Sequence, residues 1–360
     1  MTEHRGLADS SIPLSEAFDL ALLDLDGVVY LMGELIPGAD EAVAEFRRRG
    51  TVRFITNNAS RSAEQVAALL TSRGVDASPD EVRTSAQALA AALATRIPQG
   101  GRVLIVGTTA LADEIEAVGL VPVRTIDGGP APVAVAQGIS PDVTWRDLSG
   151  VVTAVRAGAL WAVTNRDSTI PSPTGPLPGN GTLVAAVVET LGRAPDVVAG
   201  KPEPVMFQQT IDQSLGIRPI AVGDRHDTDI AAARAVRVPS LLVLSGTATP
   251  ASVLNLPPDA RPDYLGWSLT ALTEPHPPVS QDDSDGVHVW RCGHWRVESS
   301  PTGLTLTGTQ GSLEPDHLDA LRALTVAAWA VADDGMATPT LTAGDAMAKT
   351  ALSGLGLVGD

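Results

Sequence analysis

The chain has 360 residues, of which 44% are hydrophobic, and 42 acidic against 25 basic residues give it a formal net charge of −17. This length and apolar content are sufficient for two or three globular units. The negative charge would repel a phosphodiester backbone, so we expect no nucleic-acid partner.

The sequence shows no feature of a secreted or membrane protein. The single cysteine, Cys292, cannot form an intrachain disulfide, and the first ten residues carry charges where a signal peptide needs an apolar stretch. The most apolar segments, residues 159–164 and 239–245, are far shorter than the roughly 18 to 20 residues that span a bilayer. We therefore predict a cytoplasmic protein without a membrane partner.

In chain order, short segments rich in Val, Ile and Leu alternate with amphipathic segments, and this alternation indicates parallel α/β sheets. The helices predicted in the first part end at glycines or begin after a capping residue, Asp80 in the third case. The predicted strands are residues 20–25, 51–56, 102–107, 133–137, 160–164, 219–223 and 241–244, and the first three predicted helices are residues 39–49, 61–73 and 81–97.

The pattern predicts three units. Residues 1–79 and 186–273 are expected to form a doubly wound, Rossmann-like parallel-sheet core, and residues 80–185 an inserted α/β cap. The Pro-, Ser- and Asp-rich segment 274–286 is typical of a linker. Residues 287–360 are expected to form a small α+β tail, with strands at 288–298 and 304–308 and a helix from about 314 to 332.

Two acidic residues lie where the first predicted strand ends, in the order Asp24-Leu25-Asp26-Gly27. Side chains at i and i+2 of an extended chain point the same way, and the repulsion between two carboxylates is relieved by a cation or a shared proton. The pair therefore predicts a metal site or an acid–base pair, although two turn-forming aspartates would look the same.

Three further segments lie at or near predicted strand ends. Thr56-Asn57-Asn58 precedes a helix, where free backbone N–H groups favour a phosphate, although an N-cap is an alternative. Lys201, before Pro202, offers an ammonium group to a phosphate unless it is an ordinary surface lysine. Asp224 directly follows the predicted strand 219–223, and Asp229 comes next as a further acid or a simple cap.

The order of these four motifs resembles that of the haloacid dehalogenase superfamily. The resemblance covers residues 18–272 and is closest to small-phosphate phosphatases with a large cap, such as nitrophenyl and pyridoxal phosphatases. The strings NNASRSA at 57–63, TSAQ at 84–87 and RAGALW at 156–161, together with the extra tail, are similar to those of glycerol 3-phosphate phosphatases.

This resemblance implies a Mg²⁺-dependent phosphomonoester hydrolase that acts on a small phosphate ester, most closely glycerol 3-phosphate. It implies that Asp24 is the nucleophile and forms an aspartyl phosphate, and that Asp26 is the general acid and base. It further implies Mg²⁺ ligands at Asp24, Asp224 and the backbone carbonyl of Asp26, phosphate contacts from Thr56, Asn57, Asn58 and Lys201, and a supporting role for Asp229 in orienting Lys201 or a metal-bound water.

The cap is expected to read the leaving group. Asn165, Arg166 and Asp167 follow a predicted cap strand and are our candidates, although a solvated crossover would also fit. The cap segment 80–185 has no His, Tyr or Phe, which favours a small polyol phosphate over a pyridoxal ring.

Other interpretations remain open at this point. A broader phosphatase acting on phosphoglycolate, nitrophenyl phosphate or pyridoxal phosphate fits the same motifs, as does a phosphate-binding regulatory or scaffold protein with a degraded site. The tail could be a fragment of an acetyltransferase, but it shows no Gly-rich coenzyme A loop and is short, so we favour a structural or interaction role. Whether copies associate through the cap or the tail is left open.

Overall fold

The structure is a computed structural model that describes residues 6–170, 172, 174–284, 287–309, 317–335 and 339–357. Strands and helices alternate through the first two thirds of these residues, as the sequence pattern indicates. No helix within the described ranges is long and apolar enough to cross a membrane.

The described strands, in chain order, are β1 (Leu20–Leu23), β2 (Tyr30–Leu31), β3 (Glu34–Leu35), β4 (Thr51–Thr56), β5 (Val82–Thr84), β6 (Arg102–Val106), β7 (Val121–Val123), β8 (Ala134–Gln137), β9 (Leu160–Val163), β10 (Thr169–Ile170), β11 (Leu177–Pro178), β12 (Val197–Val198), β13 (Pro219–Gly223), β14 (Ser240–Val243), β15 (Tyr264–Gly266), β16 (Ser280–Ser284), β17 (Val287–Cys292), β18 (Trp295–Ser300), β19 (Gly303–Gly308) and β20 (Thr340–Ala343).

The described α-helices are α1 (Leu14–Ala17), α2 (Ala39–Arg47), α3 (Ala63–Ser72), α4 (Ser85–Ala94), α5 (Thr109–Ala117), α6 (Trp145–Arg156), α7 (Asn180–Leu191), α8 (Val205–Asp212), α9 (Ala231–Ala235), α10 (Pro250–Leu254), α11 (His317–Asp333) and α12 (Ala346–Gly354).

The core is a six-stranded sheet in the order β15-β14-β13-β1-β4-β5, and every neighbouring pair in it is parallel. All four residues of β1 are buried because helices cover both faces of the sheet, which explains its uninterrupted apolar sequence. The predicted doubly wound core is confirmed.

The cap has its own parallel sheet, in the order β12-β9-β8-β6-β7. One apolar cluster contains residues of both sheets, for example Leu22 of β1 and Ile105 of β6. The inserted α/β unit is therefore packed firmly against the core.

Sheet membership differs from the expected limits of the cap at 79/80 and 185/186. Strand β5 belongs to the core sheet and β12 belongs to the cap sheet, so the chain crosses between the sheets near residues 84 and 199.

The expected helix start after Asp80 is wrong. Asp80 lies in a 3₁₀ turn, and Thr84 caps α4 by accepting a hydrogen bond from the Gln87 amide. Only three residues alternate in β5, too few to separate its pattern from the following helix.

The tail is a five-stranded sheet in the order β16-β17-β18-β19-β20, covered by α11 and α12, and it confirms the predicted α+β unit. The single strand expected at 288–298 is in fact two, β17 and β18, which turn at Gly293 with a φ of 52°. The expected linker contains the edge strand β16, and the predicted start of α11 at 314 lies outside the described residues.

The tail packs on the core through an apolar interface that holds a buried ion pair. Arg261 of the core donates to both carboxylate oxygens of Asp333, at 2.6 and 2.7 Å. Its guanidinium also lies 5.0 Å from the ring centre of Trp329, whose indole N–H donates to the carbonyl of Val253 at 2.9 Å. The tail thus contributes to the folded core rather than hanging from a free linker.

Candidate active site

Three neighbouring strands of the core sheet bring the predicted polar residues to one edge. Asp24 follows β1, Thr56 ends β4 and Asp224 follows β13, and the order β13-β1-β4 makes these strands adjacent. In parallel sheets the carboxyl ends of the strands face the ligand crevice. These side chains therefore share one crevice.

Lys201 joins this edge and is not a surface lysine. Its ammonium nitrogen lies 2.6 Å from Asp24 Oδ1 and 2.6 Å from Asp229 Oδ1, and its side chain is only 3% exposed. Burial alone would lower the pKa of Lys201, but the carboxylates of Asp229 and Asp24 outweigh it and raise that pKa. The lysine is therefore charged at neutral pH.

The carboxylates of Asp24, Asp224 and Asp229 offer oxygen atoms within 4.8 Å of one another. Three carboxylates and one ammonium group leave two negative charges without a counterion, which matches the charge of a divalent cation. Desolvation raises the pKa of Asp24 well above its usual range, and Asp229 and Asp224 add to this rise against the pull of Lys201. A donor set made only of oxygen atoms suits Mg²⁺.

Asp26 is the more accessible member of the first acid pair and is exposed in the crevice. Loss of hydration among the surrounding protein atoms raises its pKa, and Asp224 adds to the rise while Lys201 and Arg61 oppose it. A carboxyl group with a raised pKa retains its proton more readily, as a general acid must.

The segment after β4 is not an N-cap, because Ser62 caps α3 by accepting from the Gln65 amide. The hydroxyl of Thr56, which is buried, accepts from the Asn58 amide at 3.1 Å. The side-chain oxygen of Asn58, Oδ1, in turn accepts from the amide and the hydroxyl of Ser60, at 2.8 and 2.6 Å. The side chain of Asn58 therefore shapes the turn that follows β4.

The side chain of Asn57 connects the core motifs to the cap, a role that the sequence did not indicate. Its Oδ1 accepts from the Lys201 amide at 2.8 Å, and its Nδ2 donates to the Lys201 carbonyl at 3.0 Å. The same Nδ2 donates to Asp167 Oδ2 of the cap at 3.1 Å. The contact spans 144 residues of sequence, so no local pattern signals it.

The three candidate residues of the cap have different positions. Asn165 is buried and donates to the Asn57 carbonyl at 2.7 Å, while its Oδ1 accepts from the Asp167 amide at 3.2 Å. Arg166 is exposed. Desolvation raises the pKa of Asp167 against the hydrogen bond from Asn57. Of the three, Asp167 combines a place beside the core motifs with free acceptor capacity.

Comparisons with known sequence families match both segments that carry the site residues of the core and also match the tail. Residues 21–121 match the family described as haloacid dehalogenase-like hydrolase, and residues 198–272 match a second family described as HAD-hydrolase-like. Residues 292–357 match a GCN5-related N-acetyltransferase like domain. The acetyltransferase interpretation of the tail, which we disfavoured, is therefore supported at the level of sequence family.

The chain is 39% identical over 345 residues to the D-glycerol 3-phosphate phosphatase of Mycobacterium tuberculosis, a match that covers 94% of each protein. The acid sugar phosphatase of Staphylococcus saprophyticus is 35% identical over 231 residues, which are 63% of this chain and 87% of that protein.

Among solved structures, the glycerol phosphate phosphatase of Mycobacterium tuberculosis in complex with magnesium superposes with a TM-score of 0.84 at 37% identity, over 96% of this chain and 99% of that one. The p-nitrophenyl phosphatase of Archaeoglobus fulgidus gives a TM-score of 0.65 at 27% identity, over 71% of this chain and 98% of that one.

Proposed function

The chain belongs to the haloacid dehalogenase-like hydrolases, and from this premise we propose that it is a Mg²⁺-dependent phosphatase that hydrolyses glycerol 3-phosphate through an aspartyl phosphate on Asp24. The observation that carries the proposal is the convergence of Asp24, Lys201 and Asp224 in one crevice. The glycerol phosphate phosphatases that match nearly the whole chain support the choice of substrate.

In the first step, a carboxylate oxygen of Asp24 attacks the phosphorus atom, and the bond from phosphorus to the glycerol oxygen breaks. Lys201 holds Asp24 in place and adds a positive charge beside the phosphoryl oxygens. Asp26 gives its proton to the departing alkoxide. The products of this step are glycerol and the aspartyl phosphate.

In the second step, Asp26 takes a proton from a water molecule, whose oxygen attacks the phosphorus atom and releases inorganic phosphate from Asp24. The Thr56 hydroxyl and the backbone amide of Asn57 are the groups that we expect to donate to the phosphoryl oxygens. When bound at Asp24, Asp224 and the backbone carbonyl of Asp26, Mg²⁺ would neutralise phosphoryl charge.

The position of Asp167 in the cap favours a substrate whose leaving group is small and uncharged. Asp167 accepts from Asn57 and keeps lone pairs that hydroxyl groups of glycerol can use. A carboxylate at this position would repel the acidic group of phosphoglycolate, which argues against that ester as the substrate.

The test is phosphate release by the purified protein from glycerol 3-phosphate, phosphoglycolate, pyridoxal phosphate and p-nitrophenyl phosphate, with Mg²⁺ or with a chelator. We expect the highest kcat/KM for glycerol 3-phosphate, no turnover with the chelator and none for Asp24→Asn. Asp19→Asn is a matched control, because Asp19 precedes the strand that Asp24 follows and pairs with Arg218 outside the site.

Phosphate release by Asp24→Asn at the rate of Asp19→Asn would overturn the nucleophile assignment. Binding of phosphate by the wild-type protein without hydrolysis of any ester would favour the regulatory or scaffold alternative.

A further inference from the structure

The segment Ser245-Gly246-Thr247, which we call the brace segment, touches both acid-bearing turns of the site. It follows β14, the neighbour of the strand that carries Asp224. The Thr247 amide donates to Asp224 Oδ2 at 2.6 Å, and the Ser245 hydroxyl donates to the Gly27 carbonyl at 2.7 Å. One short segment therefore contacts the turn after Asp26 and the side chain of Asp224.

Both peptide groups that flank Gly27 are held in place. The Gly27 amide donates to the Tyr30 carbonyl at 2.7 Å. Because the N–H and C=O of a trans peptide point in opposite directions, this bond turns the Asp26 carbonyl away from Tyr30. The next peptide is fixed at its oxygen by Ser245. The brace segment therefore holds the peptide that follows Gly27, one residue after Asp26.

Gly246 leaves no room for a side chain. A Cβ on Gly246 would lie 2.1 Å from Asp224 Oδ2 and 2.7 Å from Gly27 Cα. Gly27 has a φ of +81°, and a Cβ on it would lie 2.4 Å from the same oxygen of Asp224. The two glycines thus allow the first acid-bearing turn and Asp224 to approach each other closely.

We propose that Ser245 and Gly246 are positioning residues for the reaction: Ser245 fixes Asp26 by way of the Gly27 carbonyl, and Gly246 fixes Asp224 at the metal site. This inference rests on the proposed function. The Ser245 hydroxyl is engaged by the Gly27 carbonyl, and Gly246 has no side chain, so neither residue is assigned a contact with the substrate. Replacing either should therefore change the chemical step or the cation site rather than substrate binding.

The expected signature of Ser245→Ala depends on the leaving group. A misplaced Asp26 delivers its proton poorly, which slows departure of a glycerol alkoxide more than departure of a nitrophenolate, since the latter needs little protonation. We expect kcat for glycerol 3-phosphate to fall roughly tenfold or more with little change in KM, and kcat for p-nitrophenyl phosphate to fall less. Ser245→Thr keeps the hydroxyl and should restore the wild-type ratio.

Gly246→Ala tests the second half of the proposal. Calorimetric titration of the chelator-treated protein with Mg²⁺ should show a dissociation constant raised roughly tenfold or more, because Asp224 must move. Ser268→Ala is the control, since Ser268 follows the neighbouring strand β15 and its hydroxyl serves a local cap. It should leave the kinetics and the Mg²⁺ affinity unchanged.

Equal losses of kcat on both esters for Ser245→Ala, or no loss at all, would overturn the role of Ser245. An unchanged Mg²⁺ affinity in Gly246→Ala would overturn the role of Gly246, and if this variant does not fold, the Ser245 variants decide alone. If the wild-type protein hydrolyses neither ester, the proposed function fails and the role of Ser245 in the reaction fails with it, whereas the Mg²⁺ affinity of Gly246→Ala still decides the role of Gly246.

Discussion

The carboxylate of Asp229 lies 2.6 Å from the ammonium nitrogen of Lys201, the same distance that separates this nitrogen from Asp24. Asp229 is also fixed by the Arg225 amide, which donates to its second oxygen at 3.1 Å. Lys201 is therefore held between two acids, and only one of them is the proposed nucleophile.

Asp229→Asn should lower kcat for glycerol 3-phosphate by about tenfold, because Lys201 would lose one of its two anionic partners and could shift from the phosphoryl position. Steady-state kinetics at saturating Mg²⁺ measure this effect. Asp227→Asn is the comparison, since Asp227 is more exposed and pairs with Arg225 instead. Equal kcat values for both variants would contradict a role of Asp229 in orienting Lys201.

Asp26→Asn removes the proposed acid but keeps the shape of the turn. We expect the rate on glycerol 3-phosphate to fall at least about a hundredfold, and the rate on p-nitrophenyl phosphate to fall less, because nitrophenolate leaves without a proton. The measurement is the ratio of kcat values on the two esters. A ratio equal to that of the wild type would speak against proton donation by Asp26.

The stabilisation by Mg²⁺ should increase with pH. Burial raises the pKa values of Asp24 and Asp224 in the metal-free protein. A carboxyl group with a raised folded-state pKa contributes stability below its unfolded pKa, and this contribution is lost as the pH rises through the folded value. The metal-free protein therefore carries its largest electrostatic penalty at neutral and higher pH, where Mg²⁺ relieves it.

Calorimetric unfolding at about pH 5 and about pH 8, with Mg²⁺ or with a chelator, measures this gain. We expect a larger increase of Tm on adding Mg²⁺ at the higher pH, and a smaller increase in Asp24→Asn. An increase that is the same at both pH values would show that these carboxyl groups do not carry the effect.

Two neighbouring cap residues should differ in their effects. Asp167→Asn should raise KM for glycerol 3-phosphate more than KM for p-nitrophenyl phosphate, because an acceptor for the glycerol hydroxyls is lost. Asn165→Ala should lower Tm and impair hydrolysis of both esters, because the Asn57 carbonyl and the Asp167 amide would lose their buried partner. Identical kinetic profiles of the two variants would show that Asp167 does not read the leaving group.

The tail should contribute to the stability of the whole chain through the Arg261–Asp333 pair. Breaking a buried ion pair on one side costs about 3 to 5 kcal/mol, so Asp333→Ala should lower the free energy of unfolding by roughly this amount. Arg218→Ala breaks a more exposed pair and should cost about 1 kcal/mol or less. Chemical denaturation of both variants measures the difference, and similar costs would argue against tight docking of the tail.

The motif residues could be predicted from the sequence because each lies at the end of its own strand or directly after it. Asp24, Thr56 and Asp224 needed only the assumption that their strands are parallel neighbours, which the sheet order confirms. Asn165 was different. The sequence placed it in the right loop, but its amide is occupied by the Asn57 carbonyl, 108 residues away, and no local pattern reports such a contact.

The tail was harder to predict, because its strand signals are weak. Strand β16 has the sequence SQDDS, which shows no apolar alternation, so the segment resembled a linker. The turn at Gly293 is only two residues long and lies between Cys292 and Trp295, so the apolar pattern continued across it. Register with neighbouring strands, rather than local propensity, decides both features.

The acidic composition of β16, which made this strand hard to predict, also discourages the addition of another chain to its edge. This strand pairs with β17 on one side, and its other edge meets no strand within the described ranges, so it offers a template on which another chain could add. Asp282 and Asp283 are exposed on it. A second copy aligned along this edge would bring four negative charges together, so the same acidic pair that gives no strand signal discourages growth into filaments.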